Sequence, residues 1–232
     1  MAKIVWDAEG YKRFETGVDH GVLYPKASSA VALPGNPSLG TTHFTNGVAW
    51  NGLTSVSKSP SGAEANDIYA DNIKYASLRS AETFGATIEA YTYPNEFMEC
   101  NGLAVVEGGL LIGQQIRKSF GFCFRTDIGD DTDNGIDVGS KYKLHLVYNA
   151  TASPSEESFS TINDSPEAIT FSWEISTIPY TFADDSHLPL ACITIDSTKA
   201  NSTNLKKLED ILYGENGTPM LPEPAEVIAI FS

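Results

Sequence analysis

Residues 169–176 read Ile-Thr-Phe-Ser-Trp-Glu-Ile-Ser, and apolar Ile169, Phe171, Trp173 and Ile175 alternate without a slip against Thr170, Ser172, Glu174 and Ser176. Period two is the mark of a strand with one buried and one exposed face. Working outward, Tyr142, Leu144, Leu146 and Tyr148 alternate with Lys141, Lys143, His145 and Val147, which places His145 on the exposed face of a strand. Phe120, Phe122 and Phe124 share one face, with Gly121, Cys123 and Arg125 on the other. Ala86, Ile88 and Ala90 repeat the pattern against Thr87, Glu89 and Tyr91. The run from Trp50 to Val56 is β-rich, and 68–78 reads as a second strand region, with the polar, turn-rich stretch 58–65 as a loop between the two. Shorter apolar runs at 191–194 and 226–231 read as strands buried on both faces or as a terminal pairing strand.

One helix is expected, over 202–213: Leu205, Leu208, Ile211 and Leu212 share a face, capping residues precede it, and Gly214 follows. About eight strands with one helix predict a mostly β fold, a sandwich or barrel with the helix on its flank. The expected organisation is an N-terminal arm over 1–46, where Trp6, Tyr11 and Phe14 precede dense Gly and Pro, and a single β domain over 47–232. Two polar connections stand out, 127–140 with five aspartates and the Ser/Thr/Pro-rich 149–167. Loops of that length in a small domain usually carry function or reach a neighbour.

The chain has 232 residues, enough for a sizeable core, with 41% hydrophobic and 19% charged residues. Fifteen Lys and Arg stand against 30 Asp and Glu, a formal net charge of −15. A uniformly acidic surface does not neutralise phosphates, which argues against tight nucleic-acid binding and against docking on anionic membranes. It suits solubility, and it keeps nearby DNA from sticking. Cys100, Cys123 and Cys192 form no CxxC pair, so a reducing compartment and no disulfide framework are expected. The first residues contain no apolar leader core, and no apolar run is long enough to span a bilayer.

Candidate chemistry is thin. The 127–137 stretch imitates a calcium loop, but counting from Asp130 puts Gly135 at six and Lys141 at twelve, where an EF-hand needs Glu, so a solvated acidic loop is expected. His20, His43, His145 and His187 lack zinc spacing. The stretch from Gly108 to Gly113 is half a P-loop followed by Gln114, and reads as a glycine turn between strands. Glu82, Glu89, Glu96 and Glu99 contain the two carboxylates a glycosidase needs, in a chain where acidic clusters arise by chance. Trp50, Tyr91, Tyr93 and Phe97 form either a sugar-binding platform or a core. The sequons at Asn149, Asn163, Asn201 and Asn216 carry little weight in so Ser/Thr-rich a chain.

Longer words carry a resemblance. They are Val48-Ala-Trp-Asn-Gly-Leu-Thr-Ser-Val56 with its continuation to Tyr75, Phe84-Gly-Ala-Thr-Ile-Glu-Ala-Tyr-Thr-Tyr-Pro-Asn-Glu-Phe97, Ile112-Gly-Gln-Gln-Ile-Arg-Lys-Ser-Phe-Gly121, and the stretch from Lys143 to Glu174. Residues 193–199 and 211–214 add to them. Together they resemble the major tail tube protein of long, non-contractile phage tails, in the branch common among phages of Gram-positive bacteria. The resemblance implies a tail-tube β-sandwich or barrel with long inter-subunit loops. It implies a non-enzymatic virion subunit, made in the host cytoplasm, whose hexameric rings stack into a conduit for DNA ejection. The partners implied are further copies of the chain and other tail proteins (tape measure, tail tip, terminator), with DNA passing unbound and no cofactor or metal. Inter-subunit contact is expected from 1–46, 58–67 and 149–167, with Lys58, Ser59, Pro60, Ser61, Gly62, Ala63, Glu64, Ser153, Pro154, Ser155, Glu156 and Glu157 as interface residues. The alternatives are a carbohydrate-binding or host-adhesion β-sandwich on the virion, and a glycan hydrolase.

Overall fold

The computed structural model describes residues 4, 6, 12–34, 40–131, 140–159, 161–162, 168–183 and 188–232. The first half of the chain supplies β1 (Phe14–Ala32), β2 (Thr41–Thr45), β3 (Val48–Ala49), β4 (Leu53–Lys58), β5 (Ser61–Gly62), β6 (Ala65–Ala70), β7 (Ile73–Arg79), β8 (Glu82–Thr83) and β9 (Gly85–Ala90). A short helix α1 (Phe97–Cys100) leads to the hairpin β10 (Ala104–Val106) and β11 (Leu110–Ile112). Then come β12 (Phe120–Gly129), β13 (Tyr142–Ala152), β14 (Phe171–Thr177), β15 (Cys192–Asp196), α2 (Ser202–Tyr213), β16 (Met220–Leu221) and α3 (Pro224–Phe231).

The main sheet is antiparallel, in the order β16-β2-β1-β12-β13-β14-β9-β4, with β15 beside β13 and β3 beside β1. Its two longest strands each serve two neighbours along one edge. On β13, Lys143–Val147 pair with β15 and Ala150–Ala152 pair with β14. The change falls at Asn149, whose φ of 48° bends the strand. On β1, Val22 and Leu23 pair with β3, while Lys26 to Ala32 pair with β2. Because β3 runs on into β4, the sheet curls from β1 through β12, β13, β14, β9 and β4 and returns to β1. Trp50 N–H donates to the Gly21 carbonyl at 2.8 Å across that seam. A side chain at Gly21 would run into Leu53 and lie 3.1 Å from the Trp50 carbonyl, so the closure needs glycine there.

Splitting the sheet makes two cores. Inside the curl, Trp50 packs against Phe97 at 4.6 Å, Phe122 at 5.5 Å and Trp173 at 5.6 Å, mostly edge to face. Leu23, Ile88, Phe120, Phe124, Val147 and Ile175 fill the space around them. On the opposite side of β1, β12 and β13, Tyr24, Phe44, Cys123, Leu144, Leu146 and Tyr148 meet α2 and α3. Tyr24 Oη donates to the Leu212 carbonyl at 2.8 Å in this second core. The helix expected over 202–213 forms with those bounds. Asn201 caps it by accepting from the amides of Thr203 and Asn204 at 2.9 and 3.3 Å, and Gly214 closes it at φ 75°.

Four local readings change. Residues 226–231 lie in a helix, not a strand: Pro224 opens it, where its missing N–H costs nothing, and Pro224, Val227 and Ile230 face the second core. Residues 14–32 and 41–45, expected in an arm of loops, are strands within the sheet. The glycine that argued against order there shapes β1 instead: Gly17 at φ 70° and register shifts at 16–19 and 19–22 bend it between its partners. The described start of the acidic connection is not solvated; Asp127 and Asp130 are buried, and Asp130 meets the Lys141 ammonium at 2.9 Å. Residues 132–139 of that connection lie outside the described residues, as do His187, Tyr11 and the sequon at Asn163.

His145 is also buried, at 4% exposure, stacked on Phe124 at 4.6 Å. Lys58 Nζ donates to its Nδ1 at 2.8 Å, so that nitrogen accepts and Nε2 carries the proton toward Thr126 Oγ1 at 3.0 Å. Burial first, and the Lys58 charge second, push its pKa from 6.5 down to about 4.

Two outcomes follow. Trp50→Ala empties the centre of the curled core and costs about 3–5 kcal/mol in urea unfolding. For His145 the unfolded chain binds a proton that the folded chain refuses between pH 6.5 and 4. This contribution is therefore full above pH 6.5 and falls by about 3 kcal/mol as the pH drops to 4. His145→Gln flattens that part of the stability profile, measured by urea titrations across the range.

Candidate assembly surface

The β4·β9 ladder pairs Leu53 with Ala90 at one end and Lys58 with Ala86 at the other. Past Lys58 the two chains stay together. Ser59 N–H donates to the Gly85 carbonyl at 2.8 Å, β5 pairs with β8, and β6 pairs with β7 from Ala65↔Arg79 to Ala70↔Ile73. Asp71 and Asn72, at φ 52° and 63°, make the two-residue left-handed turn that closes such a hairpin. The stretch 58–65 is thus the root of a long β-arm rather than a loop, and 68–78 is a hairpin tip rather than one strand. At strand rise the arm reaches up to about 40 Å from the sheet.

The interface residues expected from the sequence fall in two places. Lys58 ends β4 with its ammonium turned inward to His145, and Ser59 and Pro60 link to β5. Ser61 Oγ lies 2.8 Å from Thr83 Oγ1, Ala63 N–H donates to Ser80 Oγ at 3.2 Å, and Gly62 and Glu64 are exposed beside them. Ser153 still follows the sheet, donating its N–H to the Glu174 carbonyl at 2.7 Å. Pro154, Glu156 and Glu157 are exposed and Ser155 is half-buried, in the strandless stretch after β13. Tyr93 has its pKa raised by burial and by the nearby charge of Glu157.

Sequence reasoning missed the strongest surface signal, which is apolar. On the arm, Tyr69, Ile73, Tyr75 and Leu78 are 67%, 65%, 75% and 57% exposed. On the β10–β11 hairpin, Val105, Leu110, Leu111 and Ile112 are exposed, and Ile116 just beyond is 94% exposed. Two-stranded ribbons are marginal alone in water, and apolar patches of this kind mark contact surfaces. The pair Asp71-Asn72 between Ile68-Tyr69 and Ile73-Tyr75 was the available hairpin signal.

A third surface is polar. The outer face of the curl carries Ser55 and Ser57 on β4, Thr87 and Glu89 on β9, Ser172, Glu174 and Ser176 on β14, and Thr151 on β13. The register sets them side by side: Ser172 faces Glu89, Glu174 faces Thr87, and Thr151 faces Ser176. Ser55 Oγ donates to Glu89 Oε2 at 2.8 Å.

The residues of the other readings do not converge. Trp50 and Phe97 are core, leaving Tyr91 the exposed member of the aromatic group. Glu82 sits on β8, Glu89 on the outer face, Glu96 at the start of α1, and Glu99 in an ion pair with Lys118 at 2.7 Å. Among the described residues no three His, Cys, Asp or Glu side chains gather as metal ligands, and no helix is long and apolar enough to cross a membrane. The segment 108–113 is a glycine turn between β10 and β11, as expected.

No curated protein matches the sequence. The sequence model of one family does, described as phage tail tube protein, over residues 18–218. That span takes in the whole curled sheet, the arm, the β10–β11 hairpin and the α2 helix, so this chain belongs to the phage tail tube protein family.

Proposed function

We propose that the chain forms the tail tube itself: copies close head to tail into hexameric rings, the rings stack, and DNA leaves through the lumen. The β-arm carries this reading. A monomer has no use for a ribbon of apolar residues held far from its core, whereas a stacked assembly buries it on a neighbour. Head-to-tail contacts that close give rings, and those that repeat without closing give filaments. Residues 149–167 and the N-terminal residues add further contacts, and other tail proteins bound the tube at its ends.

The Ser/Thr/Glu face of β4, β9, β14 and β13 suits the lumen wall. Short hydroxyl side chains leave the bore smooth, and the carboxylates of Glu89 and Glu174 repel a polyanion that must slide past. Lysines there would instead bind phosphates by releasing counterions.

Removing residues 64–80 and rejoining the arm leaves a folded subunit with an unchanged unfolding midpoint and abolishes long tubes in negative-stain electron microscopy. Tubes of normal length from that variant would refute the arm's role. Glu89→Lys with Glu174→Lys keeps tubes intact and slows DNA release from virions, with recovery at high salt as screening rises. Release at the wild-type rate would place another face on the lumen.

A further inference from the structure

The arm needs a seat, and the same chain offers one at the other end. The arm leaves the β4·β9 ladder at Lys58 and Gly85. The chain leaves β9 at Ala90 in the opposite direction and enters α1, whose Phe97 packs on Tyr93 and Trp173. The β10–β11 hairpin grows from there. Its base is tied down by Gln115 N–H to the Gly102 carbonyl at 3.0 Å, and by Arg117 Nη1 to Asn101 Oδ1 and the Ala152 carbonyl at 3.1 and 3.2 Å. Beyond that base its apolar residues meet solvent: Val105 and Leu111, which pair across the two strands, are 61% and 43% exposed. One ladder thus carries an apolar ribbon at each end, with neither covered by the chain that makes it.

We propose that the β6–β7 tip of one copy seats on the β10–β11 hairpin of the copy in the next ring. This rests on the tail-tube reading and names the surface that receives the arm. A stack built by one repeated step needs two different, complementary patches at opposite ends of each subunit, and these are two such patches. Tyr69, Ile73, Tyr75 and Leu78 supply large apolar area on one side; Val105, Leu110, Leu111 and Ile112 supply it on the other. Charge adds direction. Arg79 at the base of the arm tip and Glu107 in the β10–β11 turn are opposite in sign, and neither forms an ion pair among the described residues. An arm meeting another arm would pair like with like and would leave the hairpin bare.

The test uses the full chain with single and paired substitutions, read by negative-stain tube length and by non-reducing gels. Tyr75→Asp and Leu111→Asp, both at exposed positions, keep the wild-type melting temperature, and each cuts mean tube length at least tenfold. Mixing the two variants restores a single junction, giving two-ring stacks and nothing longer. Glu107→Arg shortens tubes, and adding Arg79→Glu restores them. Tyr75→Cys combined with Leu111→Cys gives a disulfide ladder of multimers, while either cysteine alone gives none. Normal tubes from Leu111→Asp and Glu107→Arg, beside failed tubes from the arm deletion, would show that the arm seats elsewhere. Dimers from Tyr75→Cys alone would show arms meeting arms. Absence of tubes from the wild-type chain under every assembly condition would overturn the tail-tube reading and this inference with it.

Discussion

Everything in this molecule depends on three strands, β1, β12 and β13, that are buried on both faces. A strand covered on one side can be built from simple alternation. A strand covered on both must bury Cys123 as well as Phe122 and Phe124, and Tyr148 as well as Val147. The demand is met by dividing the sheet along two long strands, so that one branch curls around the aromatic core and the other lies under α2 and α3. Bends at Gly17 and Asn149 allow the division, and glycine at position 21 lets the seam close. Because the core is complete within one chain, the elements projecting from it are free to serve other copies.

Much of this was legible in the sequence. The alternation through Trp173 and Ile175 gave strand, face and core membership, and the capped run at 202–213 gave α2. What periodicity could not show was coverage from the second side. His145 and Cys123 were placed on open faces because nothing local announces that a helix or a threonine-lined cavity will cover them. The run at 226–231 is too short and too apolar for period two and period 3.6 to be told apart; Pro224 decided it as a helix start. Residues 14–46 misled for a different reason, since glycine there bends strands rather than ending them.

The candidate surface was read in the right region and with the wrong chemistry. Polar length at 58–67 marked an arm, but the contact chemistry lies further out, in Tyr69, Ile73, Tyr75 and Leu78. Those residues looked like ordinary strand material, because a sequence does not say whether a strand has a third neighbour. The charge of −15 belongs to a different task. Acidic residues on the Ser/Thr/Glu face leave a surface that a polyanion can travel along, while association rests on apolar ribbons that salt does not screen.

The root of the arm also has a mechanical meaning. β4 and β9 run straight on into it, so a pull along the arm is a pull along the strands. The hydrogen bonds of an antiparallel ladder lie across that direction. They are loaded together in shear instead of being peeled one after another, and Lys58, anchored inward on His145, stands where the load enters. A flexing tube would therefore bend at the exposed β5–β8 and β6–β7 ribbon while the curled sheet keeps its shape.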